Sequence, residues 1–215
     1  MTATPAPVRL VTCSTAPNPR RVNAFLVEKG VEIPRVEIDL ATRAHYDPEH
    51  LAKFGTHHLP ALELSDGTTL TETMAICRFL EGLHPEPNLM GATPLELGRI
   101  DQWNRRVEFM IMLPAAYVFR HSHPAMAALE VQEPVMSDWH RRPLANGLEV
   151  LNKRLEESEF LAGDRFTMAD INAYIALDFM RVTKTRVPDE HTATLRWQAA
   201  LKDRPSLQRY VPPAA

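Results

Sequence analysis

A helix is predicted to begin at residues 71–73, and its first turn has the chemistry of a carboxylate-binding site. The apolar residues that follow recur at i, i+3, i+4 and i+7, the spacing of one helix face: Ile76, Phe79, Leu80 and Leu83. The first turn of a helix leaves backbone N–H groups unpaired and carries the positive end of the helix dipole. Because such a turn suits a bound carboxylate, the sequence predicts an anion site at this helix start.

A proline and a tight hairpin come just before this helix. Leu59 and Pro60 precede an apolar strand over residues 61–64, and the bond between them is a candidate for the cis form. In that form the Leu59 backbone points away from the sheet. Residues 65–67, Ser-Asp-Gly, have turn chemistry, because glycine adopts a positive φ at no steric cost. We therefore expect a second strand, over residues 68–70, to pair back on the first.

The N-terminal part of the chain predicts two further strands. Residues 8–13 are a short apolar run, and a second strand over residues 34–39 has Val36 and Ile38 facing inward. A short helix follows at residues 47–55. With a helix between the two strands, this pattern is typical of a right-handed βαβ unit.

The helix between these two strands has a clear start and end. Asn18 is a favourable N-cap residue and Pro19 a favourable first helical residue. Gly30 is a natural C-terminal stop. We therefore expect this helix to begin at Asn18 and to end at Gly30.

The second half of the chain predicts helices and no strand. Residues 84–94 are rich in proline and glycine and form a linker. A long helix follows over residues 95–120, with a kink expected at Pro114. Further helices are expected over residues 131–157 and 192–202. The sequence thus predicts an all-helical bundle after the linker.

One helix start in this bundle has the sequence of a capping box. Thr167 caps the helix, and Asp170, three residues later, reaches back to the Thr167 backbone. Phe166 can pack on Ile171 as a hydrophobic staple. We interpret this box as an element of folding rather than of ligand binding.

The proline, the hairpin, the Glu-Thr pair and the helix MAICRFLE occur in an order and spacing that resemble the glutathione-binding half of the soluble glutathione transferases. That half is a thioredoxin-like domain. The resemblance implies a βαβαββα domain over residues 8–84, followed by an all-helical domain over residues 95–211. It also implies glutathione as the co-substrate, no metal, and assembly as a homodimer.

The resemblance assigns residues to each part of glutathione. Leu59, before the cis Pro60, pairs through its backbone with the cysteinyl part, while Glu72 and Thr73 hold the γ-glutamyl end. The register from residue 48 to residue 60 is similar to that of delta-class members. This register places His45 and His57 where that class uses two histidines for the glycyl carboxylate.

The residues that would activate the thiol depart from the family pattern. Members lower the pKa of the glutathione thiol, about 8.5 when free, with a Tyr, Ser or Cys in the loop after the first strand. Here that position falls on Ala16, which donates nothing. The loop most resembles that of nu-class-like bacterial members and retains Asn18 as the donor, with Ser14 and Thr15 as neighbouring donors.

Two residues of this loop keep an alternative role. Asn18 is also explained as a helix cap, and the two roles are compatible. Cys13 could form a mixed disulfide with glutathione, but its place at the end of a strand favours a buried structural thiol.

The resemblance places the electrophile beside the first long helix. Its candidate contacts are Met110, Leu113, Ala116, Tyr117 and Arg120. Core packing explains the same helical spacing equally well. His121 and His123 could also reach the electrophile, but exposure to solvent in a loop explains them equally well.

Composition excludes several other classes of function. A formal net charge of -3 leaves no basic field for nucleic acid or anionic lipid. No apolar run approaches the roughly 20 residues that cross a bilayer, and residues 1–10 lack the apolar core of a signal peptide. No metal-ligand spacing or phosphate-binding glycine motif occurs. We therefore expect a cytoplasmic protein that binds small molecules.

The sequence favours one reaction and leaves two alternatives. We expect glutathione thiolate to attack an electrophilic carbon of an apolar substrate. The first alternative is a glutathione-dependent disulfide reductase or lyase, which the nu-class-like loop keeps open. The second is a non-catalytic binding or regulatory protein of the same fold, which Ala16 favours.

Overall fold

The computed structural model describes residues 4–208, which divide into two compact units. The first unit runs to Pro87, and the second spans Asn88–Leu207. The division falls inside the proline-rich linker. The end of the predicted helical domain, at residue 211, lies outside the described residues.

The first unit has the thioredoxin-like order βαβαββα, as predicted. Its elements are β1 (Pro7–Thr12), α1 (Pro17–Lys29), β2 (Arg35–Glu37), α2 (Pro48–Phe54), β3 (Ala61–Leu64), β4 (Thr69–Thr71) and α3 (Thr73–Leu83). Two short 3-10 turns, Leu40–Thr42 and Ala44–Tyr46, connect β2 to α2.

The sheet of this unit brings three strand ends to one edge. Its order is β2-β1-β3-β4, with β1 parallel to β2 and the other neighbours antiparallel. Val11 pairs with Ala61, and Ala61 pairs with Thr71. The end of β1, the beginning of β3 and the end of β4 therefore lie side by side. The segments just beyond these ends carry the predicted glutathione contacts.

The start of α1 differs from the prediction. The N-cap is Ala16, not Asn18, and the Arg20 N–H donates to the Ala16 carbonyl at 3.1 Å. Pro17 occupies the first turn, where its fixed φ suits a helix and its missing N–H is not needed. Asn18 therefore lies inside the first turn. The predicted end is confirmed, with Gly30 at a φ of 63°.

The prediction that Val36 faces inward is wrong. Val36 is 37% exposed because β2 is a three-residue strand at the edge of the sheet. Ile38, just beyond it, packs against the buried cluster of Val11, Phe54 and Ala61.

The described residues of the second unit form helices and connecting loops, with no strand. Its helices are α4 (Pro94–Val107), α5 (Leu113–Ser122), α6 (Pro134–Glu157), α7 (Met168–Met180) and α8 (Thr192–Leu201). Among residues 4–208, no helix combines the length and the apolar character needed to cross a membrane.

The long helix predicted over residues 95–120 is interrupted earlier than at Pro114. A π-helical segment, Glu108–Met112, joins α4 to α5, and the Leu113 N–H donates to the Glu108 carbonyl five residues back. Pro114 cannot donate to the Met110 carbonyl, so the regular i to i−4 ladder cannot continue there. Gly147 of α6 packs on this carbonyl so closely that a Cβ would lie 2.3 Å from it.

The predicted capping box at the start of α7 is confirmed, with Thr167 and Asp170 in reciprocal contact. The Asp170 carboxyl is fully buried and accepts from the N–H groups of Leu161 and Thr167, each at 3.0 Å. It also accepts from the indole N–H of Trp197 at 3.3 Å. Burial raises the pKa of Asp170 to about 6, and these hydrogen bonds act against the rise.

Candidate functional site

The candidate site begins where β3 starts. The Leu59–Pro60 peptide bond is cis, which confirms the prediction. Pro60 is buried, and Leu59 is half-buried against Val11 and Ala61. Leu59 thus lies beside the end of β1, where the loop to α1 begins.

Glu72 and Thr73 lie on the same edge, because Thr71 pairs with Ala61. Glu72 is the N-cap residue of α3, but its exposed side chain makes no cap hydrogen bond. Its backbone has φ 68° and ψ 120°, a conformation rare for a residue with a side chain, which costs about 1–3 kcal/mol. Thr73 is buried. The arrangement holds a carboxylate out at the edge of the site.

Asn18 and Thr73 are brought together across the site by Arg21. The buried Arg21 guanidinium donates to the Asn18 side-chain oxygen at 2.7 Å and to the Thr73 hydroxyl at 3.5 Å. The Thr73 hydroxyl also lies 3.4 Å from the Asn18 carbonyl. A guanidinium has only donors, so the atom of the Asn18 amide that faces it is the oxygen. The amide NH₂ therefore points away from Arg21.

The loop before α1 places its two hydroxyl groups differently. Ser14 is buried, and both its N–H and its hydroxyl donate to the Glu37 carboxylate, the hydroxyl at 2.9 Å. Thr15 is exposed, and its hydroxyl lies 3.3 Å from the Cys13 sulfur. The Ala16 N–H closes the turn on the Cys13 carbonyl at 3.0 Å. Of the three loop donors that the sequence singled out, Ser14 is thus held by Glu37.

The imidazoles of His45 and His57 both contact the ring of Tyr46. The ring of Tyr46 is 4.5 Å from each imidazole and is stacked on that of His57. His45 is buried, and its Nδ1 has no hydrogen-bond partner within residues 4–208. Burial, followed by the nearby imidazoles of His50, His57 and His58, lowers the pKa of His45. His45 is therefore uncharged at pH 7 and can act as a neutral N–H donor.

The predicted electrophile contacts lie on the π segment and on α5. Met110 is half-buried in the π segment, and Leu113 is 44% exposed. Tyr117 is stacked on His140 of α6, with ring centres 4.2 Å apart. The Arg120 guanidinium lies 3.5 Å from the Glu130 carboxylate.

The remaining residues of this group are Ala116, His121 and His123. Ala116 is half-buried on α5. The Nδ1 atoms of His121 and His123 accept from the backbone N–H groups of Glu133 and Ala125, each at 3.2 Å. Both imidazoles therefore stabilise the turns after α5.

The two cysteines are free and buried. Burial raises the pKa of the Cys77 thiol to about 12, with a smaller opposing effect from Arg21. Cys77 is therefore a packing residue. No group of three or more His, Cys, Asp or Glu side chains in the described part of the chain is placed to hold a metal ion.

Comparisons with known proteins identify the family. Residues 6–82 match the glutathione S-transferase N-terminal domain, and residues 112–205 match the glutathione S-transferase C-terminal domain. Glutathione S-transferase 2 of Saccharomyces cerevisiae is 35% identical over 198 residues, which cover 90% of this chain and 84% of that protein. The chain belongs to the glutathione S-transferase family.

Solved structures of other glutathione S-transferases share the whole fold. A glutathione S-transferase domain-containing protein from Marinobacter aquaeolei has a TM-score of 0.87 at 33% identity, covering 94% of this chain and 100% of that chain. Gtt2 from Saccharomyces cerevisiae has a TM-score of 0.86 at 32% identity, covering 93% and 98% of the two chains. Membership of the glutathione S-transferase family supports a glutathione-related transferase function.

Sequence reasoning missed three residues of this transferase's candidate site: Arg21, Glu37 and Tyr46. Each contacts residues that were predicted: Arg21 orients Asn18, Glu37 holds Ser14, and Tyr46 packs against His45 and His57. Arg21 carried a weak signal, because an arginine three residues after Asn18 on a largely buried helix needs polar partners.

Proposed function

We propose that this protein conjugates glutathione to apolar electrophiles. The observation that carries the proposal is the contact of Asn18 and Thr73 through Arg21, beside the edge where Leu59 and Glu72 lie. In the proposed reaction the glutathione sulfur attacks an electrophilic carbon and forms a sulfur–carbon bond. The leaving group departs with its bonding electrons, and the thiol proton passes to solvent.

Glutathione binds along this edge in the proposed complex. The Leu59 backbone pairs with the cysteinyl part, and Pro60 keeps that backbone turned outward. The Glu72 carboxylate accepts from the γ-glutamyl ammonium. Thr73, at the start of α3, donates to the γ-glutamyl carboxylate. His45 and His57 hold the glycyl carboxylate, His45 as a neutral donor.

Asn18 stabilises the thiolate in the proposed mechanism. Its amide oxygen accepts from Arg21, which leaves the NH₂ group turned away and able to donate. The side chain is exposed in the first turn of α1, where the helix dipole favours a negative charge. An amide takes no proton, so it lowers the thiol pKa without acting as a base.

The proposal also covers the second substrate, the oligomeric state and the cellular compartment. Met110, Leu113, Tyr117 and Arg120 are the proposed contacts of a small apolar electrophile. We also infer a homodimer, as is typical of this fold, that uses no metal. The cytoplasm is the proposed compartment, because a reducing environment keeps both cysteines as free thiols.

One observation keeps a second function open. Ala16 occupies the position of the usual donor and is the N-cap of α1, so it offers no side-chain donor. This favours a non-catalytic glutathione-binding or regulatory protein as the alternative. A glutathione-dependent reductase or lyase uses the same thiolate and differs only in what the sulfur attacks.

The test is steady-state kinetics of the Asn18→Ala variant with glutathione and chlorodinitrobenzene. We expect kcat/KM to fall roughly tenfold, which corresponds to about 1.4 kcal/mol of transition-state stabilisation. The dissociation constant of glutathione, measured by calorimetry, should change little. Thr15→Ala and Ser14→Ala are the matched loop variants and should have smaller effects. If either one abolishes turnover while Asn18→Ala is silent, Asn18 is not the donor.

A further inference from the structure

Arg21 is a buried cation that joins the starts of two helices. It lies in the second turn of α1 and is 3% exposed. Burying a guanidinium costs free energy unless its N–H groups are hydrogen-bonded. One nitrogen, Nη2, meets two oxygens: the Asn18 side-chain oxygen at 2.7 Å and the Thr73 hydroxyl, at the start of α3, at 3.5 Å. A single guanidinium nitrogen therefore contacts the first turns of α1 and α3.

Helical spacing and sheet register bring these groups together. Asn18 and Arg21 stand at i and i+3 on α1, so their side chains are neighbours on one face. Thr73 comes just after β4, whose last residue, Thr71, pairs with Ala61. Ala61 in turn pairs with the end of β1, from which the loop to α1 leaves. All of these residues lie in the first unit, where α1 packs on α3.

The two partners of Arg21 can each act as a donor or as an acceptor. An amide has an oxygen and an NH₂ group, and a hydroxyl has one hydrogen and two lone pairs. A guanidinium only donates, so both partners accept from Arg21, and their hydrogens are directed away from it. The Thr73 hydroxyl hydrogen has the Asn18 carbonyl as its acceptor at 3.4 Å. This is a long hydrogen bond for a hydroxyl, and a bound carboxylate offers a stronger acceptor.

The positive charge of Arg21 also acts on the groups around it. In α3 it opposes the rise that burial produces in the pKa of the Cys77 thiol. A nearby positive charge favours the charged form of a thiol or a carboxyl. It also polarises the hydrogen bonds it donates, which strengthens the next bond in the chain. Donors backed by Arg21 should therefore hold an anion more strongly than isolated neutral donors do.

We propose that Arg21 is a positioning residue for two anionic groups of bound glutathione. Through Asn18 it supports the thiolate, and through Thr73 it supports the γ-glutamyl carboxylate. This role rests on the proposed function, in which Asn18 and Thr73 touch these two groups, and it concerns a residue that touches neither. One buried cation then orients two donors that are 55 residues apart in the chain. A purely structural Arg21 would instead stabilise the fold without acting on either group.

The first measurement is an ultraviolet titration of glutathione bound to Arg21→Met. This variant keeps an unbranched side chain and removes both the charge and the donors. We expect the pKa of the bound thiol to rise by about half a unit relative to the native protein, because the Asn18 amide loses its fixed orientation. In the Asn18→Ala background the same change should move that pKa by no more than about 0.2 unit, because the amide through which Arg21 acts is gone.

The second measurement is calorimetry with S-methylglutathione, which keeps the γ-glutamyl group and has no ionisable thiol. Arg21→Met should weaken its binding about three- to tenfold, since the Thr73 hydroxyl is no longer oriented toward the ligand. In the Thr73→Val background the same change should have no more than about a twofold effect. Arg21→Lys keeps the charge on a single ammonium group and should recover part of both effects.

The matched control is Lys29→Gln, which removes another buried cation of α1. Lys29 pairs with Glu81 at 2.5 Å and lies about 12 Å from Arg21 along the helix axis. It should lower the melting temperature while leaving the thiol pKa and the affinity for S-methylglutathione as they are in the native protein. If thermal melting shows that Arg21→Met is unfolded, Arg21→Gln takes its place in both measurements.

The outcomes separate this role from the proposed function. A native thiol pKa that is lowered, but equally lowered in folded Arg21→Met, would overturn the role of Arg21 and leave the proposed function standing. A native thiol pKa equal to that of free glutathione would overturn both. Equal effects of Lys29→Gln and Arg21→Met would mean that Arg21 acts only through the stability of the fold, which also overturns the inference.

Discussion

Glu72 combines an unusual backbone with an unused side chain. A positive φ is costly for glutamate, and its carboxylate caps no helix N–H. The fold nevertheless holds it at the edge shared by β3 and β4. Glu72 therefore contributes nothing evident to stability, and its proposed role as the ammonium acceptor explains why its carboxylate is held there.

Replacement of this carboxylate tests the role directly. Glu72→Gln keeps the size of the side chain and removes its charge, so the contact with the γ-glutamyl ammonium loses about 1.5–3 kcal/mol. We expect calorimetry to show glutathione binding weakened by about ten- to a hundredfold. Glu49→Gln, in the exposed first turn of α2, is the control and should bind as the native protein does. Unchanged affinity in Glu72→Gln would remove Glu72 from the site.

The residues of the candidate site differ in how far sequence could predict them. Leu59, Pro60 and Glu72 stand at element boundaries, which local sequence marks through proline, turn residues and helix periodicity. The role of Arg21 depends on Thr73, 52 residues away, and that of Glu37 on Ser14, 23 residues away. Side-chain partnerships across such distances follow from the packed sheet and have no local sequence signature.

At the scale of elements, the capping box of α7 is a buried network around one carboxyl. Asp170 accepts from the backbone of Leu161 and Thr167 and from the side chains of Thr167 and Trp197. It links the start of α7 to the preceding loop and to α8. Ionisation of this carboxyl is opposed by burial, so the network is pH-sensitive.

The pH dependence of stability has a definite sign. Burial raises the pKa of Asp170 in the folded state to about 6, above its ordinary value of 3.8. Between these values the folded state binds the extra proton, so this carboxyl stabilises the fold less as pH rises from about 4 to about 6. Relative to Asp170→Asn, which cannot titrate, the native protein should lose up to about 3 kcal/mol of its unfolding free energy across that window. Urea unfolding of both proteins at each pH measures the difference.

The control for this experiment is Thr167→Ala. It removes one cap and one hydrogen bond to the Asp170 carboxylate, so it should cost about 1 kcal/mol, up to about 2, where that carboxylate is ionised, and raise the pKa of Asp170 further while the carboxyl still titrates. Glutathione affinity should stay the same, because the box lies in the second unit. Parallel pH profiles for the native protein and Asp170→Asn would show that Asp170 does not titrate as described.

The break between α4 and α5 in the second unit shows a limit of predicting helices from the sequence. Apolar periodicity runs from α4 into α5 without a gap, so the sequence indicated one helix with a kink at Pro114. The structure places a π segment before the proline, because the Met110 carbonyl loses its partner at Pro114 and Gly147 allows α6 to cover it. The close approach of two segments that are far apart in the sequence therefore determines where the helix breaks. No local pattern reports that approach.

At the scale of the molecule, a thioredoxin-like unit is joined to a helical unit, as the sequence predicted. The order of turns, proline and helix starts was sufficient for this architecture, because each boundary has strong local chemistry. The basic lining of a cavity between α4 and α6 was not predicted, since its cations look like ordinary exposed charges along each helix. Only the structure shows that Arg99, Arg106, Lys153 and Arg154 line one cavity, with Glu157 as the one carboxylate among its described lining residues.

The central claim is that the first unit holds glutathione with its thiol activated by Asn18. The most direct measurement is an ultraviolet titration of the thiolate of glutathione bound to the native protein. Donors at a helix start should lower the thiol pKa by about one unit from the free value of about 8.5, a shift of about 1.4 kcal/mol. Asn18→Ala should raise the pKa of the bound thiol most of the way back to the free value. A bound thiol that titrates as free glutathione does would contradict the account and favour a non-catalytic binding protein.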